Sequence, residues 1–382
     1  MHGTRDRAPT DHGRDPRTAI ATPSPGRAGA GGGSAKPRPS SDCGLRYLHQ
    51  KPPKGPETFE VAPGLLWARV PLPYRLNHVN VWLLRGSDGW TIIDTGTSNT
   101  EARAVWEALL GSVLSGAPIT GLVATHGHTD HVGLAGWLHE ISEGAAFHIS
   151  LAEWLSAQLR IADAKAPLSG SAIAFLSAHG CDPQTVSSFA EDRRRTHTYL
   201  QPLPTQIRRL RDGARLRFGG RQWQVMLCGG HAAEHASFWC AEDKILIAGD
   251  QILSKISPMI GVFSAEPEAD PLTEYLASLD RFRRLPEDTL VLPSHGMPFF
   301  GLHERVAELA AHHEQRLDQL DQLMPSPQTA MQLAYGLFPK AVAEGHGRHA
   351  FAETLAHAHS LVTRGRALRS EAEGILRFAQ MR

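Results

Sequence analysis

The chain has 382 residues, 41% of them hydrophobic, with 39 basic and 39 acidic side chains. This length allows one large domain or two ordinary ones, and the balanced charge argues against a nucleic-acid-binding surface. The four cysteines are scattered without a C-x-x-C pair, which argues against a disulfide framework and favours a reducing, cytoplasmic compartment. No apolar run reaches the length of about 18 residues that a membrane span needs, so we expect none.

The first 50 residues differ in composition from the rest of the chain. They consist mostly of Gly, Pro, Ala, Ser, Thr, Arg and Asp, with almost no aromatic or branched apolar side chains. Such a segment cannot offset the entropy that it would lose on ordering, and it lacks the apolar core of a secretory signal. We therefore predict a disordered tail over residues 1–50 and ordered structure from residue 57.

Short β-type runs alternate with helical patterns from residue 57 onwards. The runs HVNVWLLRG and WTIIDTG flank Asp88-Gly89, which is a typical hairpin turn. The segment EARAVWEALLGSVL has helical spacing, and the apolar run ITGLVAT predicts the next strand. Strand signals return after residue 207 and continue to about residue 302. We therefore predict one β/α domain over residues 57–302.

Two stretches of the chain have helical periodicity instead. Residues 151–207 contain SLAEWLSAQLRIADA and GSAIAFLSAHG, and we predict a helical insertion or lid there. Its apolar residues are expected to form a wall over the functional site. Residues 303–382 begin with LHERVAELAAHHEQRLDQLDQLM and are predicted to form a helical C-terminal domain.

The segment THGHTDH, at residues 125–131, follows the predicted strand ITGLVAT directly. Side chains two residues apart on a loop can point at one place, so His126 and His128 can share a metal ion. Asp130 and His131 then project onward and can serve a second ion. Nitrogen and oxygen ligands without thiolate favour zinc, with manganese or iron as alternatives.

Three further polar residues each end an apolar β-type run. His231 follows RQWQVMLCGG, Asp250 ends LIAGD and His295 ends VLPSH. An α/β sandwich collects its functional residues at the carboxyl ends of its strands, so we expect these side chains to join the motif. His235 is predicted to have a structural or pocket role, and Cys228 to pack on its strand.

This set of motifs resembles the five motifs of the metallo-β-lactamase-fold hydrolases, which begin with Asp94 in IIDTG. The resemblance implies a four-layer αββα sandwich that holds two zinc ions. It also implies a first ion bound by His126, His128 and His231, a second bound by Asp130, His131 and His295, and Asp250 bridging both. Asp94 would orient a histidine ligand or the motif loop by a hydrogen bond.

The mechanism implied by this resemblance is hydrolysis by a metal-bound hydroxide. Two metal ions lower the pKa of bound water to about 7 and polarise the attacked carbonyl or phosphoryl group. Asp130 would orient the hydroxide and receive its proton, which makes it the predicted catalytic residue. Asp250 stands where antibiotic-degrading zinc lactamases carry cysteine, and His128 where the diiron flavoproteins carry glutamate. Both differences favour a zinc hydrolase of another class.

The C-terminal part resembles the small winged-helix domain of the β-lactamase-like protein 2 group. The resemblance rests on TAMQLAYGLFP and FAETLAHAHSLVTRGRALRSE. Arg364, Arg366 and Arg369 would form the basic wing, and we predict a packing and lid role for it rather than DNA binding. The other C-terminal histidines are predicted to be surface or packing residues: His312, His313, His346, His349, His357 and His359.

The leading hypothesis is a hydrolase of a thioester, related ester or lactone with an apolar acyl part. Its partner would be a small-molecule acyl substrate, and the sequence leaves open whether the chain is a monomer or a dimer. Two alternatives remain, a metal-dependent single-strand ribonuclease and a mononuclear iron sulfur-dioxygenase. A non-catalytic module is disfavoured because every ligand position is filled. The run Arg193–Arg195 is interpreted as a solvated charge run rather than a phosphate site.

Overall fold

The computed structural model describes residues 44–381, so most of the predicted tail lies outside the described residues. In chain order the strands are β1 (Arg46–Tyr47), β2 (Phe59–Ala62), β3 (Leu65–Pro71), β4 (His78–Arg85), β5 (Trp90–Ile93), β6 (Ile119–Val123), β7 (Ala146–Ile149), β8 (Arg208–Arg209), β9 (Arg215–Phe218), β10 (Arg221–Cys228), β11 (His235–Cys240), β12 (Ile245–Gly249), β13 (Leu290–Pro293), β14 (Phe299–Phe300), β15 (Ala367–Ala372) and β16 (Ile375–Gln380). The helices are α1 (Thr100–Leu110), α2 (Thr129–Val132), α3 (Ala135–Ile141), α4 (Leu151–Asp163), α5 (Gly170–Ala178), α6 (Pro183–His197), α7 (Pro271–Phe282), α8 (Leu302–Gln322), α9 (Ala330–Leu337), α10 (Pro339–Ala343) and α11 (Gly347–Thr363).

Two seven-stranded sheets form the centre of the fold. The first has the strand order β2-β3-β4-β5-β6-β7-β8, and the second has the order β1-β14-β13-β12-β11-β10-β9. In the first sheet β5, β6, β7 and β8 run parallel, and in the second β12 and β13 do. The predicted hairpin at Asp88-Gly89 is confirmed, because β4 and β5 pair antiparallel on either side of it.

The two sheets pack face to face around a shared apolar core. Trp67 and Trp82 of the first sheet are stacked with their ring centroids 6.3 Å apart. They lie in one buried cluster with Trp223 and Phe238 of the second sheet. Alternation along each strand directs one set of side chains into this core and the other set outward.

A helical layer covers the outer face of each sheet. Trp106 of α1 is fully buried against the first sheet, and its indole N–H donates to the carbonyl of Thr95 over 2.7 Å. Tyr275 of α7, Leu309 of α8 and Leu355 of α11 bury their side chains against the second sheet. The predicted four-layer αββα sandwich is therefore confirmed.

Residues 151–207 contain three helices, α4, α5 and α6. Two were predicted, and α6 was missed although Asp182 and Pro183 supply a typical N-cap and first residue. Most of the apolar residues attach these helices to the body, namely Trp154, Ile161, Leu168, Phe175 and Leu176.

The apolar wall expected from this insertion is absent from the face of α4 that meets the motif. Leu155 and Leu159 are exposed, at 52% and 55%. They lie roughly 200° around the helix from Glu153 and Ala157, and Ala157 faces Gly127 of the motif. These two leucines therefore point away from the predicted ligands.

The C-terminal part consists of α8 to α11 and the antiparallel hairpin of β15 and β16. Each arginine of the expected basic wing is paired with a carboxylate. Arg364 contacts Glu314 at 2.8 Å, Arg366 contacts Asp318 and Asp321, and Arg369 contacts Glu268 at 2.7 Å. Such neutralisation favours packing over nucleic-acid binding.

Charge pairing also accounts for the arginine run on α6. Arg193 faces Asp163, Arg194 pairs with Glu191 and Arg195 pairs with Asp192.

Within residues 44–381, none of the helices has both the length and the apolar character to span a bilayer.

Candidate metal centre

The predicted ligands come from loops at the carboxyl ends of central strands. The motif loop follows β6, which lies parallel to β5 and therefore ends at the same sheet edge. His231 follows β10, Asp250 follows β12, and His295 follows β13, which is parallel to β12. The structure brings all seven predicted ligands to one place: His126, His128, Asp130, His131, His231, Asp250 and His295.

Three imidazoles form the first ligand group. His126 Nε2 lies 2.9 Å from His128 Nδ1 and 3.2 Å from His231 Nε2. Their ligand atoms all lie within 4.8 Å of one another. Asp250 Oδ2 borders the group, 3.4 Å from His231 Nε2.

The second group lies on the other side of Asp250. His295 Nε2 is 3.5 Å from Asp130 Oδ2 and 3.3 Å from Asp250 Oδ1. His131 Nε2 is 3.6 Å from each of the same two oxygens. The two oxygens of Asp250 therefore face different groups, Oδ2 the first and Oδ1 the second.

The atoms of this centre have the chemistry of a metal site. His131 Nε2, His295 Nε2 and Asp250 Oδ1 are buried and accept or donate no hydrogen bond within the described part of the chain. Buried polar atoms are nearly always paired, so three converging unpaired ones require a partner. A divalent cation fits, because the donors are imidazole nitrogens and carboxylate oxygens.

Hydrogen bonds from behind orient the ligand rings. Asp94 Oδ2 lies 2.8 Å from His131 Nδ1, and its Oδ1 accepts the backbone N–H of Thr125. His231 Nδ1 lies 2.9 Å from the carbonyl of Met259, and His295 Nδ1 lies 2.8 Å from that of His78. These contacts leave each Nε2 directed at the centre, as partners of metal ligands usually do.

Comparison with known proteins identifies the family. The family model described as metallo-beta-lactamase superfamily matches residues 74–295. The chain belongs to the metallo-beta-lactamase superfamily. A second model, described as metallo-beta-lactamase-like, C-terminal domain, matches residues 317–381. The chain is thus a hydrolase of this metal-dependent superfamily with an additional C-terminal domain.

Three relatives show how far the similarity extends. A beta-lactamase domain protein from Burkholderia ambifaria is 34% identical, with a TM-score of 0.77 over 88% of this chain and 98% of that one. The probable metallo-hydrolase YqjP of Bacillus subtilis (strain 168) is 28% identical over 76% of this chain and 89% of its own length. The acyl-coenzyme A thioesterase MBLAC2 of Homo sapiens is 27% identical over 65% of this chain and 84% of its own length.

The ligands of the metal centre differ in their pKa values. Burial, together with the neighbouring imidazoles, lowers the pKa of His126 and of His128 well below the ordinary value. Burial would also lower the pKa of His131, but Asp130, Asp94 and Asp250 raise it well above that value. Burial would raise the pKa of Asp250, yet His295 and His131 lower it. His126 and His128 therefore offer neutral nitrogens, whereas carboxylates surround His131 and His295.

Several supporting residues surround the ligands. His235 is fully buried, and its Nε2 accepts the backbone N–H of Asp250 over 3.0 Å. His78 Nε2 accepts the N–H of Gly296, beside His295. Asp94 itself has a φ of 60°, an unusual left-handed conformation for a non-glycine residue. The sequence predicted a role for Asp94 and for His235, but not the backbone N–H groups that His235 and His78 accept.

Proposed function

We propose that this chain is a dinuclear zinc hydrolase that cleaves a thioester, or a related ester or lactone. The observation that carries the proposal is the position of Asp250. One carboxylate oxygen lies 3.4 Å from His231 Nε2, and the other lies 3.3 Å from His295 Nε2. A carboxylate that faces two ligand groups is suited to bridging two ions.

The residues that would hold each ion follow from the two groups. His126, His128 and His231 would hold the first, and Asp130, His131 and His295 the second, with Asp250 between them. When bound, such a pair supplies a water molecule of lowered pKa and polarises the carbonyl that is attacked. This chemistry needs no serine or cysteine nucleophile.

Asp130 is the residue proposed to take the proton of the attacking water. Its side chain is 17% exposed, whereas the ligand side chains of His131 and His295 are at most 2% exposed. It is therefore the acceptor that solvent and substrate can reach. Transfer of a proton to a positioned carboxylate is ordinary general-base chemistry.

Two features of the site suit an acyl thioester with an anionic leaving group. Ile256 and Phe263 are exposed at 47% and 41%, on the segment whose Met259 carbonyl contacts His231, and we assign them apolar contact with an acyl chain. Arg160 donates to the carbonyl of Gly127, and it forms no ion pair within the described residues. A half-buried cation beside His128 suits coenzyme A or a similar anion, as acted on by the human relative.

The ribonuclease and iron-dioxygenase alternatives differ in ways that can be measured. Arg364, Arg366 and Arg369, the expected basic wing, are paired with carboxylates, which argues against this wing as an RNA-binding surface. Elemental analysis of the purified protein should give about two zinc ions per chain, as in other two-metal hydrolases. One iron ion per chain would favour the dioxygenase instead.

A substrate panel tests the proposal directly. Acyl-coenzyme A, acylglutathione, a lactone and single-stranded RNA are incubated with the wild type, with Asp130→Ala and with Asp288→Ala. We expect thioester cleavage, measured as released thiol, that falls by about a thousand-fold or more in Asp130→Ala. Asp288→Ala is the control, because Asp288 is exposed and pairs only with Lys244. Metal-dependent RNA cleavage without ester cleavage would contradict the proposal.

A further inference from the structure

Helix α4 of the insertion packs directly on the motif loop. A Cβ atom added to Gly127, between His126 and His128, would lie 2.3 Å from the carbonyl oxygen of Glu153 and 3.3 Å from Ala157 Cβ. No side chain larger than hydrogen fits there. The helix backbone therefore touches the loop that carries two predicted metal ligands.

The side chain of Glu153 joins this loop to a second one. It is 2% exposed, and its Oε2 accepts the backbone N–H of Gly127 over 2.9 Å. Its Oε1 accepts the backbone N–H of Glu234, three residues after His231, over 3.1 Å. One buried carboxylate thus spans the two loops that supply His126, His128 and His231.

Two further contacts strengthen the connection. Glu234 Oε2 accepts the backbone N–H of Ala152, so the second loop and the start of α4 bind each other reciprocally. Arg160, two turns further along α4, donates from Nη1 to the carbonyl of Gly127 over 2.9 Å. Both backbone polar groups of Gly127 are therefore held by side chains of α4.

We infer that Glu153 is a positioning residue that sets the geometry of the first ligand group. The inference rests on the proposed dinuclear function, because it assigns metal binding to His126, His128 and His231. It gives α4 a purpose at the site in place of the expected apolar wall, since this helix would organise the first ion. The second group receives no contact from Glu153 and would keep its ion without it.

The chemistry of the contact explains why a carboxylate is needed. Two backbone N–H groups point at Glu153, and a carboxylate offers an acceptor oxygen to each. Glutamine would present one of them with an amide N–H₂ donor instead. Aspartate is one methylene shorter and reaches one loop at most. Neither replacement can hold both loops.

The first experiment needs no metal and no substrate. Hydrogen–deuterium exchange of the metal-free protein is followed in peptides covering residues 125–131, 150–156 and 229–236, for the wild type, Glu153→Gln, Glu234→Ala and Glu191→Gln. We expect at least ten-fold faster exchange in one or both of the peptides 125–131 and 229–236 for Glu153→Gln, which loses one of the two acceptor oxygens. For Glu234→Ala we expect it in the peptide 150–156, because the N–H of Ala152 loses its acceptor. Glu191→Gln is the control, since Glu191 is exposed on α6 and pairs with Arg194.

The second experiment measures zinc by chelator competition in the same variants. Glu153→Gln should weaken the binding of one of the two zinc ions by roughly 10- to 100-fold and leave the affinity for the other unchanged. Its kcat should recover on addition of zinc, with KM for the thioester unchanged, which a merely structural role would not produce. Glu153→Asp should show the same changes in zinc affinity and kcat as Glu153→Gln.

The inference would be overturned if Glu153→Gln exchanged its amide hydrogens at the wild-type rate. It would also be overturned if the variant bound both zinc ions more weakly by the same factor. If the wild type itself binds no pair of ions, the proposed function fails while the exchange experiment still tests the connection made by Glu153. If Glu153→Gln does not fold, Glu234→Ala supplies the test, and unchanged exchange in its 150–156 peptide, which contains Ala152, would count against the inference.

Discussion

The molecule contains two buried clusters of histidine with very similar internal spacing. In the metal centre, His231 Nε2 lies 3.2 Å from His126 Nε2. In the C-terminal helices, His313 Nδ1 lies 3.2 Å from His357 Nε2, and both residues are fully buried. We call this second set, which includes His312, the helical histidine cluster. Proximity of imidazoles is therefore common to both.

The clusters differ in what surrounds the rings. Carboxylates converge on the metal centre, and every group of potential metal ligands within the described residues lies there. In the helical histidine cluster, His357 Nδ1 is bound to the carbonyl of Glu353 one turn earlier, and His313 packs against the ring of Tyr275. Converging carboxylates, rather than histidine density or rings held by a backbone carbonyl, distinguish the metal site from the packed core.

The largest test of this difference is Asp250→Ala. Removal of the carboxylate that faces both groups should lower the occupancy of both ions and reduce turnover by about three orders of magnitude or more. Elemental analysis and thioester kinetics measure the two effects. A variant that kept two zinc ions and full activity would show that Asp250 does not bridge them.

A smaller effect is expected for Asp94→Asn, which keeps the shape of the side chain that binds His131 and Thr125. Loss of its charge should lower the zinc affinity by roughly 10- to 100-fold, mainly for the ion held by His131. Chelator competition measures this shift. Unchanged affinity would mean that the charge behind His131 is immaterial to the metal.

The smallest effect on catalysis is expected for His357→Gln, which should leave zinc content and kcat unchanged. Its effect is on stability. Burial, with smaller effects of His312, Arg316 and Arg364, lowers the pKa of His357 to about 4. The folded pKa lies below the unfolded one, so His357 contributes stability above pH 6.5 that is lost as pH falls towards 4.

Urea unfolding at pH 7 and pH 5 measures that contribution. The wild type should lose up to about 2 kcal/mol from His357 between the two pH values, and His357→Gln should lose correspondingly less. Its neighbours Glu353, whose pKa burial raises to about 7, and His313, whose pKa burial lowers to about 3, remain in both proteins. If the unfolding free energy of wild type and variant depended on pH in the same way, His357 would not be the source of the effect. If the variant lost zinc, the helical histidine cluster would not be independent of the metal centre.

The strand ends were predictable from local patterns, and the four-layer fold and the full ligand set from the resemblance that those motifs carry. Apolar strands ending in polar residues place His126 at an edge of the first sheet and Asp250 and His295 at an edge of the second. Contacts between remote segments were not predictable. Nothing near Glu153 in the sequence indicates Gly127 and Glu234 as its partners, and helical spacing alone did not show that Leu155 and Leu159 face away from the motif.

One hydrogen-bonded connection makes the C-terminal helices part of the centre. The carbonyl of Met259 orients His231, and three residues later the N–H of Val262 donates to the carbonyl of Ala352 on α11. A chain ending at residue 302 would keep all seven ligands yet lose the helix against which this segment rests. The segment that orients His231 is thus held in place by a helix of the C-terminal part.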